Sequence, residues 1–438
     1  MNILFTVDLH TLRENPWGYH AVTTELCTTC QKFRLHLPVW NGLKPRVVVT
    51  KHEVVGTNAP YVATLPESVV SALSEFSVRW DDAAIAAWCD LMRGEGELAE
   101  LYWDILEWLT NKYGADGFAY WGSNNTIKKF CKANSLLSVA MELGPTRSPF
   151  METRYCDFMG VNGDAMTRGM DLSLFRPLNL ERWRRLEGIR YQDGRRQDAL
   201  FTPLTTRWAS KIYRNDKPLA LLILQLDDDS NCLIHSEYSG MNEMVREVVP
   251  KLVSAGWQVL VKPHPGAAPG MNIRKNRQQN VIGHAMARAF VENNYPDGEA
   301  VWLDDVPANE YISLLGKIDV AISVNSSMCF EAMLSGKIAV ALGNAPYNVT
   351  DGLPTLDDVL EGRVDRQGYE DYAARVATLM LKYYLYPQQL LESPSMLSSA
   401  IFRNKMLDEA YDRGGYDALS RVVRDNPVGI VSDEDFLR

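Results

Sequence analysis

Four short stretches of this 438-residue chain set reactive side chains just beyond apolar runs that read as β-strands. Lys262-Pro263-His264-Pro265 follows the run 257–262, so Lys262 and His264 ride on a loop whose backbone two prolines restrict. An imidazole and an ammonium there can bind a phosphate or a departing phosphate oxygen. The plainer alternative is a histidine satisfied by its own backbone, and the position at a strand's carboxyl end favours the functional one. Asn325-Ser326-Ser327 follows the run 319–324 where a helical pattern begins, so two hydroxyls and the first unpaired amides form an anion site. Glu331, one turn further, is placed to accept from ribose hydroxyls; the alternative is a well-capped helix with no ligand.

The third stretch runs from Gln225 through Asp227, Asp228, Asp229 and Ser230 to Cys232. Three acids in a row can hold a hard cation. A single phosphate is already served by a helix start with His264 and Lys262, so no metal and no other cofactor is expected. Asp229 is then a base, a nucleophile or a turn-stabilising acceptor. In the fourth stretch Glu142 ends the run 137–142 and Arg147-Ser148 follow. Glu142 suits general acid or base work and Arg147 suits bidentate capture of a carboxylate, unless the two simply pair across a domain boundary.

The elements that must carry these residues are legible in outline. Between 216 and 345 short apolar runs (217–226, 257–262, 300–303, 319–324, 338–342) alternate with helical patterns (238–255, 308–316, 327–335), the grammar of right-handed crossovers and a parallel sheet. The N-terminal half repeats it less regularly, with runs at 2–7, 45–50, 117–121 and 137–142 and a helix over 124–133 capped by Asn124 or Asn125. Residues 60–113 read as helical, and their Trp80, Trp88, Trp103 and Trp108 as packing residues. The segment 176–216, rich in Arg, Pro and Asp, is the linker candidate, and helical patterns return at 369–384 and 395–424. The expected division is 1–215 as an acceptor-side domain with a helical insertion, 216–352 as a donor domain, and 353–438 as helices packing on both. The fold class is α/β: two Rossmann-like doubly wound domains facing a cleft, with C-terminal helices.

Composition narrows the classes. Hydrophobic residues make up 46% and charged residues 23%, close to globular averages, so disordered and fibrous classes are excluded. A net charge of −10 argues against a protein that coats nucleic-acid phosphates, and the cationic stretch 181–196 is interleaved with acids. The longest apolar runs, 83–89 and 219–224, fall far short of the roughly 18–20 residues that span a bilayer. Residues 1–10 read as a strand and not as a leader. Seven cysteines without regular spacing suit a reducing compartment, and Cys27 and Cys30 lack the further ligands a structural zinc needs. A cytoplasmic setting is expected, compatible with peripheral attachment to the inner face of the inner membrane. The chain's end at 438 suggests a piece of a longer polypeptide.

Taken together, Glu142-x-Gly-x-x-Arg147-Ser148, Gln225-x-x-x-Asp229-Ser230, Lys262-Pro-His264-Pro265 and Ser326-Ser327-x-x-x-Glu331-Ala-x-x-x-Gly-Lys337 resemble the capsule-synthesis family that includes KpsC and KpsS. They are also similar to the retaining β-Kdo transferase domain of WbbB, which caps O-antigen. The resemblance spans roughly residues 115–350. It implies a GT-B-like glycosyltransferase that moves Kdo from CMP-β-Kdo to an O-antigen or capsule glycolipid acceptor by double displacement. His264, Lys262, Pro265, Asn325, Ser326 and Ser327 would then hold the CMP phosphate with Gln225 and Ser230 beside it. Glu331 would take the ribose, Arg147 the Kdo carboxylate, and Glu142 the acceptor's proton. The nucleophile would be Asp229, with Cys232 either a buried apolar residue or the occupant of a position where an Asp belongs. A sialyltransferase-like enzyme using a CMP-sugar, and a catalytically silent glycan-binding domain of the same fold, are the alternatives.

Overall fold

A computed structural model describes residues 1–6, 19–35, 43–49, 62–76, 82–146, 151–183, 212, 217–267, 278–303 and 314–428. The first half folds as β1 (Asn2–Thr6), α1 (Tyr19–Leu35), β2 (Lys44–Val49), β3 (Val62–Thr64), α2 (Glu67–Glu75), α3 (Asp82–Arg93), α4 (Gly96–Tyr113), β4 (Gly117–Trp121), α5 (Asn125–Ala133), β5 (Leu137–Leu143) and β6 (Thr153–Asp157). The second half adds β7 (Leu219–Ile223), α6 (Ser230–His235), α7 (Met241–Ser254), β8 (Gln258–Lys262), α8 (Gln278–Asn294), β9 (Ala300–Trp302), β10 (Val320–Ser323), α9 (Ser327–Leu334) and β11 (Ile338–Ala341). The chain closes with α10 (Leu356–Leu360), α11 (Arg366–Thr378), β12 (Tyr386–Pro387) and α12 (Pro394–Asp425).

The first sheet has the order β12-β6-β5-β4-β1-β2-β3, and β1 to β5 pair in parallel. The second has the order β11-β10-β7-β8-β9 and is parallel throughout. In each sheet the chain builds outward from a central strand and then returns to that strand's other side. The β1/β4 and β7/β10 junctions are therefore topological switch points, where the loops at the strands' carboxyl ends part and leave a crevice. Continuous apolar runs such as Leu219–Ile223 suit these positions, because helices cover both faces of a parallel sheet. Both domains are thus Rossmann-like, as expected from the alternation.

The antiparallel strands β6 and β12 at one edge of the first sheet were not legible in the sequence. Residues 386–387 reach that edge because the C-terminal segment leaves the second domain and lies on the first. On the second domain, Tyr369 of α11 donates to the Lys337 carbonyl at 2.8 Å and accepts from Ala339 N at 2.9 Å. On the first, Asn404 of α12 donates to the Cys156 carbonyl at 3.2 Å, and Thr29 donates to the Leu391 carbonyl at 2.5 Å. Pro387 is tolerated in β12 because an edge strand leaves one side of its backbone unpaired. Among the tryptophans, Trp103 packs edge-on against Phe130 and Trp108 against Tyr113 as expected, while Trp80 lies outside the described residues. The same is true of most of the linker candidate 176–216 and of most of the expected helix 308–316.

Candidate functional site

Among the described residues, the crevice between the domains contains two chambers. The outer one, about 340 Å³, is walled by Gln225, Lys262, His264, Asn325, Ser326 and Ser327 from the second domain and by Leu143, Gly144 and Tyr155 from the first. The inner one, about 90 Å³, is walled by Glu142, Gly122 and Ser123 from the first domain and by Asp229 and Ser230 from the second. Asn162 and Asn231 line both, so the two chambers are neighbours. Three of the four sequence stretches converge here. In the fourth, Glu142 reaches the inner chamber, while Arg147 and Ser148 lie outside the described residues.

The outer chamber gathers groups that can hold an anion: Lys262, His264 and the start of α9. His264 Nδ1 accepts from Gly266 N at 3.0 Å, so in the neutral ring the proton belongs to Nε2, which makes that nitrogen a donor. The histidine is held by its own loop, as the plainer sequence reading had it, and that bond also fixes its tautomer. Pro265 opens the short 3-10 turn Pro265–Ala267 that follows. Ser326 is the N-cap of α9: its Oγ accepts from Met328 N at 3.3 Å, and its own amide donates to Ser323 Oγ at 2.9 Å. Tyr347 fixes the same residue from behind by donating to its carbonyl at 2.8 Å. Ser327 thus presents the first turn of an eight-residue helix to the chamber. Gln225 contributes a side chain whose Oε1 accepts from Leu226 N at 3.2 Å.

The acidic stretch divides its labour. Asp227 accepts from Met241 N at 2.6 Å and so holds the start of α7; burial raises its pKa to about 6. Asp228 is 1% exposed and accepts from Asn280 Nδ2 at 2.9 Å. Asp229 caps α6 by accepting from Asn231 N at 2.8 Å, and it is the one of the three that lines the inner chamber. Three carboxylates turned to three different structural partners do not form a cation cage, and among the described residues no group of three or more His, Cys, Asp and Glu could hold a metal.

Cys232 is buried, as one of its two readings had it: it is 2% exposed in the middle of α6, its Sγ donates to the Tyr238 carbonyl at 3.3 Å, and burial pushes its pKa up to about 12. Glu331, expected to face a ribose, is instead 3% exposed within α9 and, among the described residues, lines neither chamber; every residue of that helix after Ser327 is buried. Trp88, read as core, is buried at 7% yet also forms part of the inner chamber's wall.

Sequence reasoning passed over Asn231 and Asn162. Asn231 Oδ1 accepts from Asn325 Nδ2 at 2.9 Å, a bond that ties α6 to the loop after β10. Asn162 has a positive φ of 54°, a conformation that asparagine tolerates better than most residues. Its place beside two glycines of a turn-rich stretch was the available signal.

The capsule polysaccharide biosynthesis protein family matches residues 176–391, the stretch that contains the whole second domain, so the resemblance read from the sequence motifs has independent support. No curated protein matches the chain. Among solved structures, the chain is similar to KpsC of Thermosulfurimonas dismutans described as a β-Kdo 2,7 transferase, with 16% identity, 68% of this chain and 89% of that chain covered, and a TM-score of 0.37. The β-Kdo 2,4 transferase of the same organism's KpsC gives 19% identity, 62% and 81% coverage and 0.36. A UDP-GlcNAc 2-epimerase from Neisseria meningitidis gives 9% identity, 93% and 100% coverage and 0.31.

Proposed function

We propose that this chain is a retaining glycosyltransferase that moves Kdo from CMP-β-Kdo to a saccharide of a capsule or O-antigen glycolipid. One observation carries the reading: an anion-binding chamber and a chamber with two carboxylates share the walls Asn162 and Asn231. A donor whose phosphate lies against His264, Lys262 and the Ser326–Ser327 helix start would place its sugar toward Glu142 and Asp229.

The chemistry follows from that placement. Departure of CMP leaves oxocarbenium character at a fully substituted carbon, and the step is assisted by stabilising the phosphate that departs. The Nε2–H of His264, the Lys262 ammonium and the amides that open α9 do this without moving, which is the condition under which such donors are most effective. A carboxylate of α6 forms the new bond to the anomeric carbon as the bond to the CMP oxygen breaks. The acceptor hydroxyl then displaces that carboxylate while Glu142 takes its proton, so two inversions give retention. Asp229 is the carboxylate at the chamber. Position 232, one turn along the same helix, is the competing place for a nucleophile, since the family resemblance puts an Asp in this segment and Cys232 holds a buried thiol.

Intact-protein mass with peptide mapping after incubation with CMP-Kdo tests the reading, on this chain and on its Asp229→Asn and Cys232→Asp variants. A Kdo adduct on the α6 peptide supports double displacement. Turnover gained by Cys232→Asp moves the nucleophile to 232, and turnover lost only in Asp229→Asn keeps it at 229. Release of CMP from CMP-Neu5Ac but not from CMP-Kdo would turn the assignment to a sialyltransferase. Glycan binding with no donor binding in any variant would make the chain a silent scaffold.

A further inference from the structure

The short helix α6 carries Asp229 and Asn231 at one end and His235 at the other, and it is gripped by both domains. From its own domain, Asn325 donates to Asn231 Oδ1, and Asn344 N donates to the His235 carbonyl at 2.8 Å. From the first domain, Arg93 Nη2 of α3 approaches the Leu233 carbonyl at 3.5 Å. The tightest contact is at the far end. His235 is 8% exposed and packs on Gly163 so closely that a Cβ at 163 would lie 2.3 Å from its Nδ1 and 2.5 Å from its Cγ. Its Nε2 lies 3.9 Å from Asp164 Oδ2. Gly163 and Asp164 directly follow Asn162, which lines both chambers.

We propose that His235 and Gly163 form an interdomain key that sets the register of α6, so that Asp229 and Asn231 meet Glu142 and Asn162 across the crevice. His235 is a positioning residue, remote from the reacting atoms. Burial lowers its pKa, against the pull of Asp164 and Asp229 and with the push of Arg168, so the ring is neutral at pH 7 and acts through its shape. The fit needs glycine at 163 for want of room, as its neighbour is an aromatic ring with nowhere to retreat. The seam extends on either side of this contact. Thr167 Oγ1 donates to the Pro346 carbonyl at 2.6 Å, and Arg168 pairs with Asp351 at 3.1 Å, so residues 162–168 as a group hold the second domain.

This rests on the glycosyl-transfer reading for its kinetic consequence, whereas the key itself is read without any activity. Hydrogen exchange in the full chain, with Gly163→Ala and His235→Ala, should show faster exchange confined to the α6 amides of Cys232 and Leu233. Affinity for CMP should change little, because Lys262, His264 and the Ser326–Ser327 helix start stand outside α6, which gives that chamber's wall only Asn231. The kcat for Kdo transfer should fall on the order of 10²-fold with the KM for CMP-Kdo unchanged, the signature of a misplaced reacting group. Removing the ring also removes the clash, so the double variant should behave as His235→Ala alone and not show the summed loss. Unchanged α6 exchange in His235→Ala, or losses that simply add, would overturn the proposal. If Gly163→Ala does not fold, the His235→Ala exchange decides. If neither the parent chain nor its Cys232→Asp variant transfers Kdo, the function is refuted and the exchange result alone judges the key.

Discussion

Asn325 donates its side-chain amide to Asn231 Oδ1 at 2.9 Å and reaches the Asn344 carbonyl at 3.3 Å with the same nitrogen. One side chain thereby joins the loop after β10, the helix α6 and the turn after β11, three pieces that meet at the carboxyl edge of the second sheet. The anion chamber and the carboxylate chamber are built from these same pieces, so the bond couples the place where a phosphate would rest to the place where a sugar would react.

That coupling has a measurable size. Asn325→Ala and Asn231→Ala should each cost about 1–3 kcal/mol in urea unfolding, since each leaves a half-buried partner unsatisfied. The two losses should not add: a double-mutant cycle should return a coupling on the order of 0.5–3 kcal/mol. Zero coupling would mean that the two asparagines act independently.

His264 and Ser326 should separate into chemistry and stability. His264→Ala removes the donor that the proposed reaction sets against the departing phosphate and leaves α9 intact, so kcat for CMP release should fall about 10²–10⁴-fold with little change in melting temperature. Ser326→Ala removes the N-cap acceptor of Met328 N and should cost about 1 kcal/mol of stability as well as CMP affinity. Calorimetric CMP titration beside thermal melting distinguishes the two patterns.

The sequence showed the parallel framework well because buried parallel strands are continuous apolar runs, and 117–121 was placed to the residue. The helix over 124–133 came out one residue longer than Asn125–Ala133, since its first residue, Asn124, is the cap. It did not show β12, a two-residue strand held in place by a long excursion of the C-terminal chain and not by its own pattern. In the site, His264, Asp229, Glu142 and Ser327 were legible because their chemistry is conspicuous and each follows a strand or opens a helix. Spacing alone could neither decide between the two readings of Cys232 nor reveal that Glu331 is buried. Spacing along a helix tells which residues share a face, and only the packing of α6 and α9 tells which face looks at the crevice. Asn231 and Gly163 escaped notice because an amide and a glycine announce no reaction, and their partners, Asn325 and His235, are distant in sequence.

The cysteines give a simple check on that packing. All seven are buried as free thiols, and burial pushes Cys232, Cys131, Cys156 and Cys329 up to about 12 and Cys27 up to about 11. Thiolate is the reactive form, so an aromatic disulfide reagent at pH 8 should label the native protein hardly at all and the denatured protein fully. Rapid labelling of Cys232 in the native state would show that α6 presents it to the crevice.

Asp157 provides the pH prediction. Its carboxylate is fully buried at the end of β6, where it accepts from Tyr384 OH at 2.6 Å, Met159 N at 2.7 Å and Met166 N at 2.8 Å. Burial outweighs those donors and raises the pKa from 3.8 to about 6. The folded protein therefore holds this proton more tightly than the unfolded chain does. The stability it contributes is complete below about pH 4 and is lost as pH rises through 6, a change of about 3 kcal/mol at most for a shift of this size. Asp157→Asn cannot titrate, and its amide group faces main-chain donors, so the variant should be less stable than the parent at pH 4. Urea unfolding of both between pH 4 and 7.5 should show the gap narrowing as pH rises. A gap that widens would mean that Asp157 is held ionised, with its three donors outweighing its burial.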